Sequence, residues 1–183
     1  MVYLVYRFKE NGEVKCMLGA IEAGGTKFVC AVSDHDLNIV EKVTIPTTSP
    51  EETFANVFEF FDRFELDAIG IGSFGPIDID EDSETFGYIT STPKRYWRNV
   101  DFLGVFKKRY NVPMGWNTDV NAPALGEVTL GAAKDKDSCI YLTVGTGIGG
   151  GAVVNGEPLT GYQHPEMGHM YVPKHEKDVD FKG

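Results

Sequence analysis

Two glycine-rich turns, each set between apolar runs, constrain this 183-residue chain more than any other feature. The first, GAIEAGGTKFVCAV, runs from Gly19 to Val32, and the second, YLTVGTGIGGGAVV, from Tyr141 to Val154. In each, a short apolar strand enters glycine and a second apolar strand leaves it, which predicts strand, turn, strand. Asn155-Gly156 then adds a strong two-residue hairpin signal after the second copy. One design used twice predicts a duplicated fold. Gly145, Gly147 and Gly150 also fit G-x-G-x-x-G, but a dinucleotide site needs its loop to open a helix, and here the loop opens a strand. No G-x-x-x-x-G-K-[ST] occurs, so the P-loop is excluded as well. Taken alone, either turn is an ordinary hairpin. As a pair facing each other across a cleft, they offer backbone N–H groups to polyphosphate oxygens, with hydroxyls from Thr26 and Thr146 and charge from Lys27.

Between the turns the pattern is α/β. Ile39 to Ile45 predicts a third strand. Ser49, Pro50 and Glu52 read as N-cap, first helical residue and capping-box partner of a helix ending near Phe64. Leu66 to Gly72 is a buried strand running into Ser73-Phe74-Gly75-Pro76, and residues 78–99 form a polar excursion from the core. Val100 to Tyr110 predicts a second helix, Val112 to Asn117 a strand, and Val120 to about Ala133 a third helix. In the second copy, Ser138 to Val144 is a strand, Gly145 to Gly150 a turn, and Gly151 to Val154 a strand.

Apolar residues at 42% and charged residues at 24% are ordinary globular values. A formal net charge of −10 argues against a nucleic-acid binder. No stretch reaches the length of a membrane span, and the start carries no signal-peptide pattern, so a cytoplasmic protein is expected. Cys16, Cys30 and Cys139 lack metal-knuckle spacing and read as buried free thiols.

Six motifs then occur in order: E-A-G-G-T-K (22–27), G-S-F-G-P (72–76), T-P-K-x-x-W (92–97), T-D-V-N-A-P-A-L-G-E (118–127), G-T-G-I-G-G-G (145–151) and H-P-E-M-G-H (164–169). Together they resemble the ROK (repressor, open reading frame, kinase) sugar kinases, within them the bacterial fructokinase-like branch, from Met17 onward. The resemblance implies a duplicated ribonuclease-H-like (actin/hexokinase-like) α/β fold, ATP with Mg2+, and phosphoryl transfer to a hexose hydroxyl, fructose giving fructose 6-phosphate. Asp119, at a strand-to-helix junction where ligands of α/β sheets gather, is by resemblance the general base. Its alternative reading is a helix cap. Gly24, Gly25, Thr26, Lys27, Gly145, Thr146 and Gly147 are the implied ATP contacts. Gly75, Asn121, Glu166 and His169 are the implied sugar contacts, and Glu22 stands where relatives place a magnesium-organising acid.

The resemblance also makes His169 a ligand of a structural Zn2+, whose cysteine partners lie downstream in the family. No cysteine follows His169 in this sequence, so zinc belongs to an intact parent and is not expected to be retained here. The expected organisation is an extension at 1–16, a first lobe at 17–135 and the beginning of a second at 136–183. Residues 138–183 leave too little chain for a second full copy, so a fragment of marginal stability, or one that associates, is expected. A homodimer is the expected assembly, with hexose and ATP as ligands and neither nucleic acid nor membrane as partner. Two other classes stand beside the kinase: a non-catalytic sugar- or phosphate-binding fragment, and a sugar-responsive repressor, for which residues 1–16 are too short to supply a recognition helix.

Overall fold

The computed structural model describes residues 17–145, 147–161, 165–177 and 179. The first glycine turn does what its flanks predict. Strand β1 (Met17–Ala23) and β2 (Lys27–Ser33) pair antiparallel from Ala23 opposite Phe28, and β3 (Ile39–Pro46) pairs antiparallel with β2. Period-two alternation puts Ile21, Ala23, Phe28, Cys30 and Val32 on one buried face, while Ala20 and Glu22 are exposed on the other. β4 (Leu66–Ser73) adds parallel to β1, and β7 (Met114–Thr118) parallel to β4, giving the order β3-β2-β1-β4-β7. Residues 69–73 of β4 are buried without alternation, as expected of a central strand covered on both faces.

Two helices cover the buried face. Helix α1 (Pro50–Phe61) starts where the sequence predicts, with the Glu52 N–H donating to Ser49 Oγ at 3.3 Å and proline in the first turn. It stops at Phe61, three residues before the predicted end near Phe64. The Phe64 N–H turns back to the Phe61 carbonyl, and the Arg63 guanidinium sits 5.0 Å from the ring centres of both Phe60 and Phe64. Helix α2 (Phe102–Arg109) starts two residues later than predicted, because Asp101 Oδ1 takes the Gly104 N–H at 2.8 Å and acts as N-cap. Val100 and Asp101 instead form strand β6 (Val100–Asp101), paired with β5 (Tyr88–Ile89).

The core between α1, α2 and the sheet is aromatic. Phe102 is fully buried and meets Phe28, Phe54, Phe106 and Trp116 at ring separations of 4.9–5.8 Å. Residues 78–99, predicted to leave the core, return to it. Ile89 and Trp97 are buried, and the Trp97 indole N–H donates to the Thr48 carbonyl at 2.8 Å. Asp78 anchors the excursion: its carboxylate accepts from Ser83 Oγ and Thr85 Oγ1, both at 2.6 Å, and its carbonyl accepts from the Trp116 indole. Burial works to raise the Asp78 carboxyl, but these hydroxyls and the Asp80 N–H outweigh it and hold it below the usual carboxylate range. Cys30, also in the core, is a free thiol pushed up to about 12 by burial; Cys139 is free and half-buried, and Cys16 lies outside the described residues.

Helix α3 (Asn121–Thr129) lies on the opposite face of the sheet, where a Cβ on Gly72 would stand 2.9 Å from the Ala122 Cβ. It ends before the predicted Ala133 because Glu127 gathers the following N–H groups. Its carbonyl accepts from Gly131 and Ala133, and its carboxylate from Ala132 at 2.7 Å. α3 also packs on the second sheet, formed by β8 (Cys139–Val144), β9 (Ile148–Val154) and β10 (Glu157–Pro158) in the order β10-β9-β8. That order repeats β3-β2-β1, and Asn155-Gly156, at φ 54° and 80°, makes the predicted hairpin turn. No described helix is long and apolar enough to cross a membrane.

Phe102→Ala is expected to destabilise the chain by about 3–5 kcal/mol, the cost of a large aromatic cavity. A denaturant midpoint that does not move would show that the aromatic layer is not the core.

Candidate active site

The three parallel strands end in one row. Ala23 pairs with Ser73, and Ser73 with Thr118. The chain leaving each strand is tied to its neighbour: the Phe74 N–H donates to the Ala23 carbonyl at 2.8 Å, and the Asp119 N–H to the Ser73 carbonyl at 2.9 Å. Gly24, Phe74 and Asp119 therefore follow one another along the carboxyl edge of the sheet, with Gly75 the next residue out from Phe74. Gly24 and Asp119 are separated by two strand spacings, or about 10 Å. Ligands of open α/β sheets bind at such an edge, where loops diverge and leave a crevice.

The first turn is fixed from within and from the side. The Gly24 N–H donates to the Lys27 carbonyl at 2.9 Å, Thr47 Oγ1 donates to the Gly24 carbonyl at 2.7 Å, and the Thr47 N–H to the Thr26 carbonyl at 3.0 Å. A Cβ on Gly24 would fall 2.7 Å from the Lys27 carbonyl oxygen, and one on Gly25 would fall 2.8 Å from the Cε of Lys94. Thr26 and Lys27 are exposed. Glu22 is exposed on the α3 face of β1, in register with Gly72. It is a single carboxylate, which suits magnesium, an ion that takes one or two protein oxygens beside phosphate and water.

Asp119 is half-buried between β7 and α3. At the helix start Thr118 Oγ1 accepts the Asn121 N–H at 3.0 Å, and Val120 occupies the N-cap position. Asn121 is 1% exposed, and its Nδ2 donates to the Leu159 carbonyl at 3.2 Å, joining α3 to the segment after β10. Its Oδ1 is a buried acceptor with no partner among the described residues.

The second turn is shorter than predicted. It occupies residues 145–147, closed by the Gly145 N–H to the Gly147 carbonyl at 2.9 Å, and Thr146 lies outside the described residues. Gly145 and Gly147 are exposed, with nothing within 4 Å of a Cβ at either. Gly149 and Gly150, predicted as turn, are strand, as is Gly151, predicted as strand. A Cβ on Gly149 would stand 2.9 Å from Val120 Cγ1, and one on Gly151 would stand 2.2 Å from the Val120 carbonyl oxygen. From the other face, a Cβ on Gly150 would stand 3.0 Å from the Met167 Cβ. These glycines are required by close packing of β9 between the start of α3 and the 3-10 turn Met167–His169, not by turn geometry.

Glu166 and His169 thus lie across β9 from Val120. Both are exposed, and Glu166 Oε2 stands 3.3 Å from His169 Nδ1. Among the described residues no group of three or more His, Cys, Asp or Glu side chains could hold a metal ion, so His169 does not fit a zinc site there. His164 lies outside the described residues.

The sequence of this chain matches the ROK family profile over residues 18–179. The chain belongs to the ROK family. It is 52% identical over 165 residues to a fructokinase of Streptococcus mutans, covering 89% of this chain and 56% of that protein. With a fructokinase of Pediococcus pentosaceus it shares 48% identity over 166 residues, covering 91% and 57%. Among solved structures it superposes on a ROK family glucokinase from Streptomyces griseus in complex with glucose and AMPPNP, at TM-score 0.72 and 26% identity, over 86% of this chain and 51% of that one. It also superposes on a ROK hexokinase from Thermus thermophilus at TM-score 0.67 and 32% identity, over 86% and 53%. The chain spans about half the length of the curated relatives it matches. The actin/hexokinase-like α/β fold expected from the sequence is the one it shares with these ROK kinases.

Two side chains around the ROK site were not singled out by sequence reasoning. Thr47 holds the first glycine turn by side chain and backbone, and Lys94 lies over Gly25. Lys94 sits inside the T-P-K-x-x-W motif, which was the available signal; Thr47 had none, because its role depends on the pairing of β2 with β3.

Gly151→Ala should loosen the second sheet from α3 and raise hydrogen exchange in β8 and β9, whereas Gly147→Ala should leave exchange unchanged. Equal exchange in the two variants would remove the packing account of the glycine run.

Proposed function

We propose that the protein carrying this chain transfers the terminal phosphoryl group of ATP to a hexose, with fructose giving fructose 6-phosphate, and that Asp119 is the general base. The reading is supported above all by the row of strand ends, which sets a glycine turn and the backbone of Asp119 about 10 Å apart on one sheet edge. Similarity to fructokinases over about nine-tenths of the chain supports the substrate class.

In this reading Gly24, Gly25 and Thr26, with Lys27, bind the phosphates from the first lobe (17–135), and Gly145, Thr146 and Gly147 bind them from the second (136–183). Backbone N–H groups can approach phosphate oxygens at these glycines because no side chain holds the ligand away. Gly75 gives the sugar similar access to the backbone, and Glu166 and His169 supply hydrogen-bonding partners for its hydroxyls. Asn121 supports the wall behind the sugar, its buried Oδ1 being an acceptor left over for that side. Glu22 is the residue that would hold magnesium brought with the nucleotide, directly or through water, and the ion would supply neutralisation of phosphate charge.

The Asp119 carboxylate receives the hydroxyl proton as the sugar oxygen bonds to phosphorus and the bond to the bridging oxygen breaks, its electron pair remaining on ADP. The positive end of α3 favours the ionised carboxylate, so the base is ready to accept at neutral pH.

The test is ATP-dependent phosphorylation of fructose, glucose and mannose by the protein of full family length carrying these residues, followed by coupled detection of ADP. Asp119→Asn is expected to lower kcat by about 10²- to 10⁴-fold while sugar binding stays measurable. Turnover close to that of the parent would remove Asp119 from the role, and no ADP release with any hexose would remove the kinase reading.

A further inference from the structure

We propose that Lys94 is a substrate-contacting residue whose ammonium binds the transferable phosphoryl group over the first glycine turn. The inference rests on the kinase reading above. It starts from the crowding at Gly25: a Cβ there would fall 2.8 Å from Lys94 Cε and 3.8 Å from Nζ, so the lysine stem lies against the backbone of the turn and its charge ends beside it. Lys94 reaches the turn from the excursion that follows Gly75, whereas Lys27 is the first residue of β2.

Its position is held by a chain of ties rather than by a mobile surface loop. The Trp97 N–H donates to the Lys94 carbonyl at 2.9 Å, and the Lys94 N–H to Thr92 Oγ1 at 3.4 Å, with Thr92 and Trp97 both buried. The Trp97 indole is bound to the carbonyl of Thr48, and the adjacent Thr47 is bound to Gly24 and Thr26. The backbone of residue 94 and the turn are thus joined through one chain of bonds, residue 94 to 97 to 48 to 47 to 24, and the lysine stem extends from that anchored point over Gly25. Among the described residues no carboxylate forms an ion pair with Lys94.

A lysine so placed acts on charge, not as an acid or base. The phosphoryl group carries negative charge on its three peripheral oxygens throughout transfer, and a preorganised cation beside them stabilises that charge without taking a proton. The sugar proton still goes to Asp119. Because ADP lacks the transferable group, the contact discriminates between the two nucleotides.

The experiment uses the full-length protein and measures equilibrium binding of a non-hydrolysable ATP analogue, of ADP and of fructose, together with kcat. Lys94→Met keeps the stem over Gly25 and removes the charge. It is expected to weaken the ATP analogue by about 10- to 100-fold and to lower kcat, with ADP and fructose affinities within about twofold of the parent. Lys94→Arg should recover part of the analogue affinity. Equal weakening of ATP analogue and ADP, or no change in either, overturns the proposal. A parent protein that binds ADP and fructose but shows no turnover fails the kinase reading instead, and takes this one with it.

Discussion

Two backbone hydrogen bonds, Phe74 to Ala23 and Asp119 to Ser73, fix the geometry on which the candidate site depends. They sit where β1, β4 and β7 end together, and they make each departing loop continue the alignment of the strands for one more residue. A side-chain contact could relax by a rotamer change, but these bonds cannot shift without unpairing the sheet. The distance between the glycine turn and Asp119 is therefore a property of strand spacing. The aromatic layer matters to the site through the same route: Phe28 and Trp97 pack beneath the turn at a ring separation of 5.4 Å, and Trp97 carries the tie to Thr48.

The glycines divide by purpose. Gly24 and Gly25 leave room for the turn's own carbonyl and for Lys94, whereas Gly149, Gly150 and Gly151 leave room for another element of the protein. Gly145 and Gly147 meet nothing within 4 Å, so packing does not demand glycine at either, and backbone access to a ligand is a physical reason for it. One unbroken motif in the sequence thus serves two functions: its first half faces outward, and its second half is an interface between α3 and the second sheet.

The sequence made the strands, the start of α1 and the repeated hairpins legible, because period-two alternation and Ser49-Pro50 are local signals. It did not make the helix ends legible. α1 stops where Arg63 packs against the paired rings of Phe60 and Phe64, α2 starts where Asp101 takes the Gly104 N–H, and α3 stops where Glu127 collects the N–H groups that follow it. Asp101 and Glu127 make local bonds that competed with helical continuation, and the cluster of Phe60, Arg63 and Phe64 has no periodic signature. Asp119 was legible by its junction and by the family motif. The structural role of Asn121 was not, since its partner Leu159 lies far along the chain.

The second sheet repeats the first in order but not in cover. In the first, Ile21 and Ala23 of β1 lie under the aromatic layer of α1 and α2. On β8 the matching face presents Ile140, Leu142 and Val144, which are 70%, 61% and 77% exposed, and among the described residues no helix lies on it. Helix α3 touches both sheets, with its first residues pressed against β9 through Gly149 and Gly151. A displacement of the second sheet is therefore felt directly at Val120, the residue next to Asp119. The coupling is steric and short: a shift of β9 toward α3 meets the Val120 carbonyl directly, because no side chain stands between them to absorb it.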